Sequence, residues 1–194
     1  MILAEKLRDK KIILGSASPR RQQFLKDLGL SYSLQLKPVE EVYPKNLKPE
    51  EVAIYLAELK AKAFKENLGL NDLLITGDTI VCLNKKVLGK PKNSAEAKKM
   101  LLNLSGKEHQ VISSVCLKNS LKTVSFYDST KVFFKELTPT EIDFYIENFS
   151  PLDKAGAYGI QEWIGKIGVE KIEGSYFTVM GMPVHLLYRE LLKF

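Results

Sequence analysis

Two cysteines, two histidines and one tryptophan in 194 residues leave little room for several kinds of chemistry. Cys82 and Cys116 each stand in an apolar, strand-like stretch with no second thiol or imidazole at metal-ligand spacing. They read as small buried hydrophobes. His109 and His185 are isolated and form no His-Glu-x-x-His pattern, which disfavours a zinc hydrolase and a serine–histidine–aspartate arrangement. No apolar run approaches the roughly 20 residues that cross a bilayer. The N-terminal Met1 to Ala4 passes straight into Glu5, Lys6, Arg8 and Asp9, without the apolar core and small-residue cleavage site of a secretory signal. A cytoplasmic protein with no membrane partner is therefore expected. Internal repeats, low-complexity tracts and Gly/Ser linkers are lacking too, so residues 1–194 are expected to form a single domain.

What is present is the composition of an ordinary globular protein, 45% hydrophobic and 27% charged. The formal charge of +6 suits an acidic partner, phosphate or nucleic acid. Lys6, Lys62, Lys98, Lys118 and Lys171 are spread over many elements, however, and read as solvated faces, which makes nucleic acid an unlikely partner.

Hydrophobic periodicity gives alternating strands and helices. A buried strand is expected at Lys11–Leu14, then a helix capped by Ser18 with Pro19 in its first turn and Gly29 closing it. A strand at 32–37 precedes a helix from Pro49 to Gly69, with Val52, Leu56, Leu59 and Ala63 inward and Glu51, Glu58, Lys62 and Lys65 outward. Leu73–Leu83 is strand-like but interrupted at Gly77-Asp78-Thr79, and Asn84-Lys85-Lys86 turns it into Val87-Leu88. A helix over Ser94–Leu104 leads to three strand candidates, 109–118, 121–127 and 131–135. Thr138-Pro139-Thr140-Glu141 has the spacing of a capping box. A glycine-punctuated stretch over 153–181 precedes a terminal helix from Pro183 to Leu192. This order predicts an α/β protein with a mixed sheet.

Four stretches carry chemistry. In Leu14-Gly15-Ser16-Ala17-Ser18-Pro19-Arg20-Arg21 a strand ends, turns through small residues and opens a helix, aiming free N–H groups at one point. Arg20 and Arg21 in that first turn oppose the helix dipole by about 0.3–1 kcal/mol each, which calls for a nearby phosphate or carboxylate. Asp78 is a carboxylate in an apolar strand, where it pairs with a cation or helps hold a metal and a substrate phosphate. Gly89-Lys90-Pro91 sets a lysine in a rigid turn, suited to a point-charge contact with phosphate or simply to the surface. Asp153 to Gln161 combines small residues with an amide able both to donate to and accept from a base edge. Taken singly, each also has a purely structural explanation.

Together, in this order and spacing, these stretches and Gly174-Ser175-Tyr176 resemble the Maf family over residues 11 to the end. The resemblance implies a pyrophosphatase that splits a nucleoside triphosphate into monophosphate and pyrophosphate. The implied fold is a long mixed sheet flanked by helices, in two lobes around a central cleft, akin to the inosine triphosphate pyrophosphatases; a homodimer is implied as well. It makes Asp78 the proton acceptor for the attacking water, and Glu41 and Asp78 the holders of Mg²⁺ or Mn²⁺. Ser16, Arg20, Arg21, Lys60 and Lys90 would bind the triphosphate. Arg20, Thr79 and Gln161 match the branch acting on dTTP and UTP; 7-methyl-GTP, another modified nucleotide, or a cell-division regulatory or nucleic-acid-binding role are the alternatives. Whether Asp78 is base, metal ligand or both stays open. The chain departs from the family pattern at Glu162-Trp163-Ile164-Gly165, bulkier than the small-residue continuation expected after Gln161, and in its late Thr178–Pro183 stretch.

Overall fold

The computed structural model describes residues 2–64 and 68–194. Its elements are α1 (Ile2–Lys6), β1 (Lys11–Leu14), α2 (Pro19–Asp27), β2 (Ser33–Leu34), α3 (Pro49–Lys62), β3 (Asp72–Leu83), β4 (Lys86–Leu88), α4 (Ser94–Leu104), β5 (Glu108–Lys118), β6 (Thr123–Phe134), α5 (Pro139–Phe149), α6 (Trp163–Gly168), β7 (Val169–Glu173), α7 (Tyr176–Val179) and α8 (Val184–Leu191). The strands form one seven-stranded mixed sheet in the order β2-β1-β3-β5-β6-β7, with β4 paired to β3. β1 is parallel to β2 and β3; β3–β4 and β6–β7 are antiparallel. The expected α/β class with a mixed sheet flanked by helices is what the chain forms. Among the described residues no helix is long and apolar enough to cross a membrane.

The chain divides into two compact units. Unit 1 holds residues 1–78, 113–128 and 181–194, and unit 2 holds 79–112 and 129–180. β3, β5 and β6 each contribute residues to both, so neither unit is a continuous stretch of sequence.

In unit 1 the core gathers Ile13, Ala57, Ala61, Phe64, Leu74 and Cys116. Large side chains buried there, such as Phe64 and Leu74, each contribute roughly 1.5–3 kcal/mol. The buried stripe of α3 runs through Val52, Ala53, Leu56, Ala57 and Ala61 rather than through Leu59 and Ala63, which are only partly buried. Its alanines allow close approach: Thr76 Oγ1 donates to Ala57 O at 2.7 Å and Ser114 Oγ to Ala53 O at 2.5 Å. Two buried hydroxyls thus satisfy themselves on helix carbonyls and fix α3 against β3 and β5.

In unit 2, α4 and α5 bury Ala97, Leu101, Leu104, Ile142, Tyr145 and Ile146 against Val111, Val132 and Phe134 of the strands. The capping box at the start of α5 forms as expected: Glu141 N donates to Thr138 Oγ1 at 3.2 Å and Thr138 N to Glu141 Oε2 at 2.8 Å. Asn84 and Lys85 take φ of 50° and 65°, the left-handed pair that a tight two-residue hairpin requires.

Several expectations need correction. β3 runs unbroken through Gly77-Asp78-Thr79. The strand at 32–37 shortens to Ser33–Leu34. The helix from Pro49 ends at Lys62 rather than Gly69, and Lys65 lies outside the described residues. The candidates at 121–127 and 131–135 are one strand, β6, because Thr130 between them is fully buried and bonded to Ser175 rather than turned to water. Within the glycine-punctuated stretch lie α6, β7 and α7, and α1 precedes the first strand; these short elements were not anticipated.

Candidate functional site

The turn after β1 and the first turn of α2 place the phosphate-type motif in unit 1. Ser18 caps α2, its side chain accepting from Arg21 N, as the sequence predicts. Arg21 itself turns inward and is 8% exposed. Its Nε donates to Gly181 O at 2.9 Å, and its Nη1 to Gly77 O at 2.7 Å and to Ser16 Oγ at 3.2 Å. The guanidinium therefore joins two distant segments, at Gly77 and Gly181, to the turn that precedes its own helix. Burial lowers its pKa and Arg20 adds to that, while the charges of Asp78 and Glu41 oppose it. The anion that the arginine pair calls for is thus in part the protein's own.

Gly77 has a steric reason. A Cβ there would stand 2.5 Å from the backbone oxygen of Ser114, so only glycine lets β3 and β5 approach at this point. Asp78 follows it, 7% exposed. Lys60, on the last turn of α3, sets its Nζ 2.6 Å from Asp78 Oδ1 and 2.9 Å from Glu41 Oε1. One ammonium thus bridges two carboxylates. The Lys60–Asp78 pair is largely desolvated, with side chains 18% and 10% exposed, and is the stronger; Glu41 is 44% exposed and its pairing is screened.

Among the described residues no group of three or more His, Cys, Asp and Glu could hold a metal. Two convergent carboxylates do fit a hard divalent cation that takes its remaining ligands from phosphate and water.

Thr79, Lys90 and Gln161 belong to unit 2. The structure gathers the segments that carry them. Gly156 N donates to Gly89 O at 3.1 Å, tying the Lys90 turn to the 153–161 loop. Gly156 has φ +70°, and a Cβ on it would fall 2.9 to 3.1 Å from the Val81 side chain, two residues beyond Thr79. Ala157 also takes a left-handed φ of 62°, a strained state that the surrounding contacts must impose. Lys90 is exposed and Thr79 half-buried. Gln161 Oε1 is buried without a hydrogen-bond partner, an orphan acceptor of the kind a ligand donor satisfies.

Sequence reasoning missed other members of these clusters. The Gly181 carbonyl that anchors Arg21 carried no signal, because a backbone oxygen 160 residues away is invisible to local pattern. Glu162 carries no chemical signal in the sequence, yet it bonds Tyr145 and Lys154. His109 is buried, its Nε2 2.7 Å from Tyr158 Oη, and burial lowers its pKa to about 4. Cys82 and Cys116 are buried thiols, as expected.

Fold and site define a mixed α/β protein in which one lysine holds two acids together beside a strand-to-helix turn. The Maf-like protein family model matches residues 11–194, and the chain belongs to that family. A dTTP/UTP pyrophosphatase from Flavobacterium johnsoniae is 53% identical over 190 residues, covering 98% of each chain. Those from Christiangramia forsetii and Phocaeicola vulgatus are each 52% identical over 192 residues, covering 98% of this chain and 97% and 100% of theirs. Among solved structures, the Staphylococcus aureus Ham1 protein gives a TM-score of 0.44 at 21% identity, over 64% of this chain and 72% of that one.

Proposed function

We propose that this chain hydrolyses dTTP and UTP to the monophosphate and pyrophosphate. The observation that carries the reading is the Lys60 ammonium held between Asp78 and Glu41. Such an arrangement keeps two acids close and partly neutralised, ready to meet a polyanion and a cation. Identity near 50% to relatives named dTTP/UTP pyrophosphatase supports the choice of substrate.

Glu41 and Asp78 would hold Mg²⁺ or Mn²⁺; when bound, the ion neutralises phosphate charge and acidifies coordinated water. Asp78 accepts the proton of the attacking water as its oxygen bonds to the α phosphorus. The bond from that phosphorus to the bridging oxygen breaks, and pyrophosphate leaves. Ser16, Arg20, Lys60 and Lys90 stabilise the triphosphate and the charge growing on the leaving group. Arg21 takes part chiefly by holding the Ser16 turn and the Gly77 carbonyl in place. Gln161 and Thr79 read the O4 and N3–H edge of thymine or uracil, and a site built on such pairing rejects the wrong base strongly. A single domain acting as a cytoplasmic homodimer completes the reading.

The test is a panel of dTTP, UTP, CTP, GTP and 7-methyl-GTP with Mg²⁺ or Mn²⁺, products identified. Monophosphate and pyrophosphate from dTTP and UTP are expected. Release of diphosphate and phosphate, or a preference for 7-methyl-GTP, overturns the proposal. Asp78→Asn should lose turnover while staying folded; near-normal pyrophosphate release by that variant removes the assignment of Asp78.

A further inference from the structure

Glu162 follows Gln161 directly and has its side chain 20% exposed. Its Oε2 accepts the hydroxyl proton of Tyr145, and its Oε1 lies 3.1 Å from Lys154 Nζ. Tyr145 is fully buried and its oxygen accepts Gly159 N–H at 3.0 Å. Lys154, itself 8% exposed, also reaches Asp153 Oδ1 at 2.7 Å. Glu162 N donates to Gly159 O at 3.0 Å. A Cβ on Gly159 would fall 2.9 Å from the Glu162 carboxyl carbon, so the carboxylate packs flat against that glycine.

The loop from Asp153 to Glu162 is thereby closed on itself. Its first residues are tied through Lys154 to its last, and Gly159 is held by both its N–H and its C=O. Only Ile160 and Gln161 lie between Gly159 and Glu162, and Ile160 is 7% exposed in the unit 2 core. Gln161 is left with little freedom, and its Oε1 is buried with no partner. An apolar residue at 162 would avoid the desolvation of a largely buried acid. A carboxylate shared by a tyrosine and a lysine instead fixes direction, since every bond in the network depends on the others.

We propose that Glu162 is a positioning residue for base selection, aligning the Gln161 amide through the carboxylate it shares with Tyr145 and Lys154. This rests on the reading of Gln161 as a base contact.

The experiment compares kcat/KM for UTP and CTP, with melting temperatures, in the parent protein and in Gln161→Ala, Glu162→Gln, Tyr145→Phe and the Gln161→Ala/Glu162→Gln double variant. Glu162→Gln keeps the side-chain size and removes the charge. It should lower the UTP-to-CTP ratio by roughly three- to tenfold, the worth of about one hydrogen bond. Tyr145→Phe should shift the ratio the same way by less, and the double variant should shift it no further than Gln161→Ala does. A purely structural Glu162 lowers all rates together and leaves the ratio unchanged; that result, with Gln161→Ala still blurring selectivity, overturns the proposal and spares the base reading. Additive shifts in the double variant overturn it too. If Gln161→Ala itself leaves the ratio untouched, the base reading falls and this proposal with it. Should Glu162→Gln not fold, an unchanged ratio in Tyr145→Phe decides against the proposal.

Discussion

Replacing Arg21 separates an organising arginine from a surface phosphate ligand. In Arg21→Met the Gly181 and Gly77 carbonyls and the Ser16 hydroxyl lose the donors now at 2.9, 2.7 and 3.2 Å. A buried acceptor left without its donor costs about 1–3 kcal/mol. Removing a buried charge returns part of that through recovered desolvation, while Asp78 and Glu41 lose a neighbouring cation. The net loss should be about 3 kcal/mol, which for a chain of this length lowers the melting temperature by roughly 10 °C. Arg21→Lys keeps the charge but cannot span three acceptors, and should recover less than half of the loss. Thermal and urea unfolding measure the effect, and an unchanged urea slope identifies it as native-state stability. A melting temperature within about 2 °C of the parent in Arg21→Met, with only KM for the nucleotide raised, would refute the organising role.

Gly77→Ala drives a Cβ against the Ser114 oxygen and must spread β3 from β5; a loss of about 2 kcal/mol or more in chemical unfolding is expected, with activity falling alongside. Lys60→Met leaves Asp78 and Glu41 facing each other without their shared cation, so turnover should drop at least tenfold and respond more steeply to Mg²⁺ concentration, read by steady-state kinetics. The folded protein holds His109 neutral down to about pH 4, against 6.5 for a free imidazole. As pH falls through that window the unfolded chain takes up the proton first, so stability declines by about 1.4 kcal/mol per pH unit from this group. His109→Gln should remove that slope, and parallel stability–pH curves for the two proteins would count against the reading.

The order of strands and helices was legible because each carries a local signal. Ser18-Pro19 and the Thr138/Glu141 box begin helices, Asn84-Lys85 turns a hairpin, and Lys11–Leu14 is uniformly apolar but for its first residue. Strand continuity was not legible. A polar residue inside a strand reads as a break, yet Asp78 and Thr130 stay within β3 and β6 because Lys60 and Ser175 satisfy them from elsewhere in the chain. The short helices and β7 of the 153–181 stretch lacked the length for periodicity to register.

For the site, Arg20, Arg21 and Asp78 were legible as anomalies, because cations at a helix start and charge in an apolar strand need no coordinates to detect; Ser16, Lys90 and Gln161 stood in suggestive turns, and Glu41, Lys60 and Thr79 were nominated only through the resemblance to the Maf family. Only the tertiary structure decided which partner answers each anomaly. It gave Lys60 to both acids, turned Arg21 inward onto Gly181, Gly77 and Ser16, and made Glu162 the fastening of the Gln161 loop. The reason is physical: a buried charge announces in sequence that it must be compensated, but the compensating group is chosen by packing, which brings together residues whose separation along the chain carries no trace of their contact.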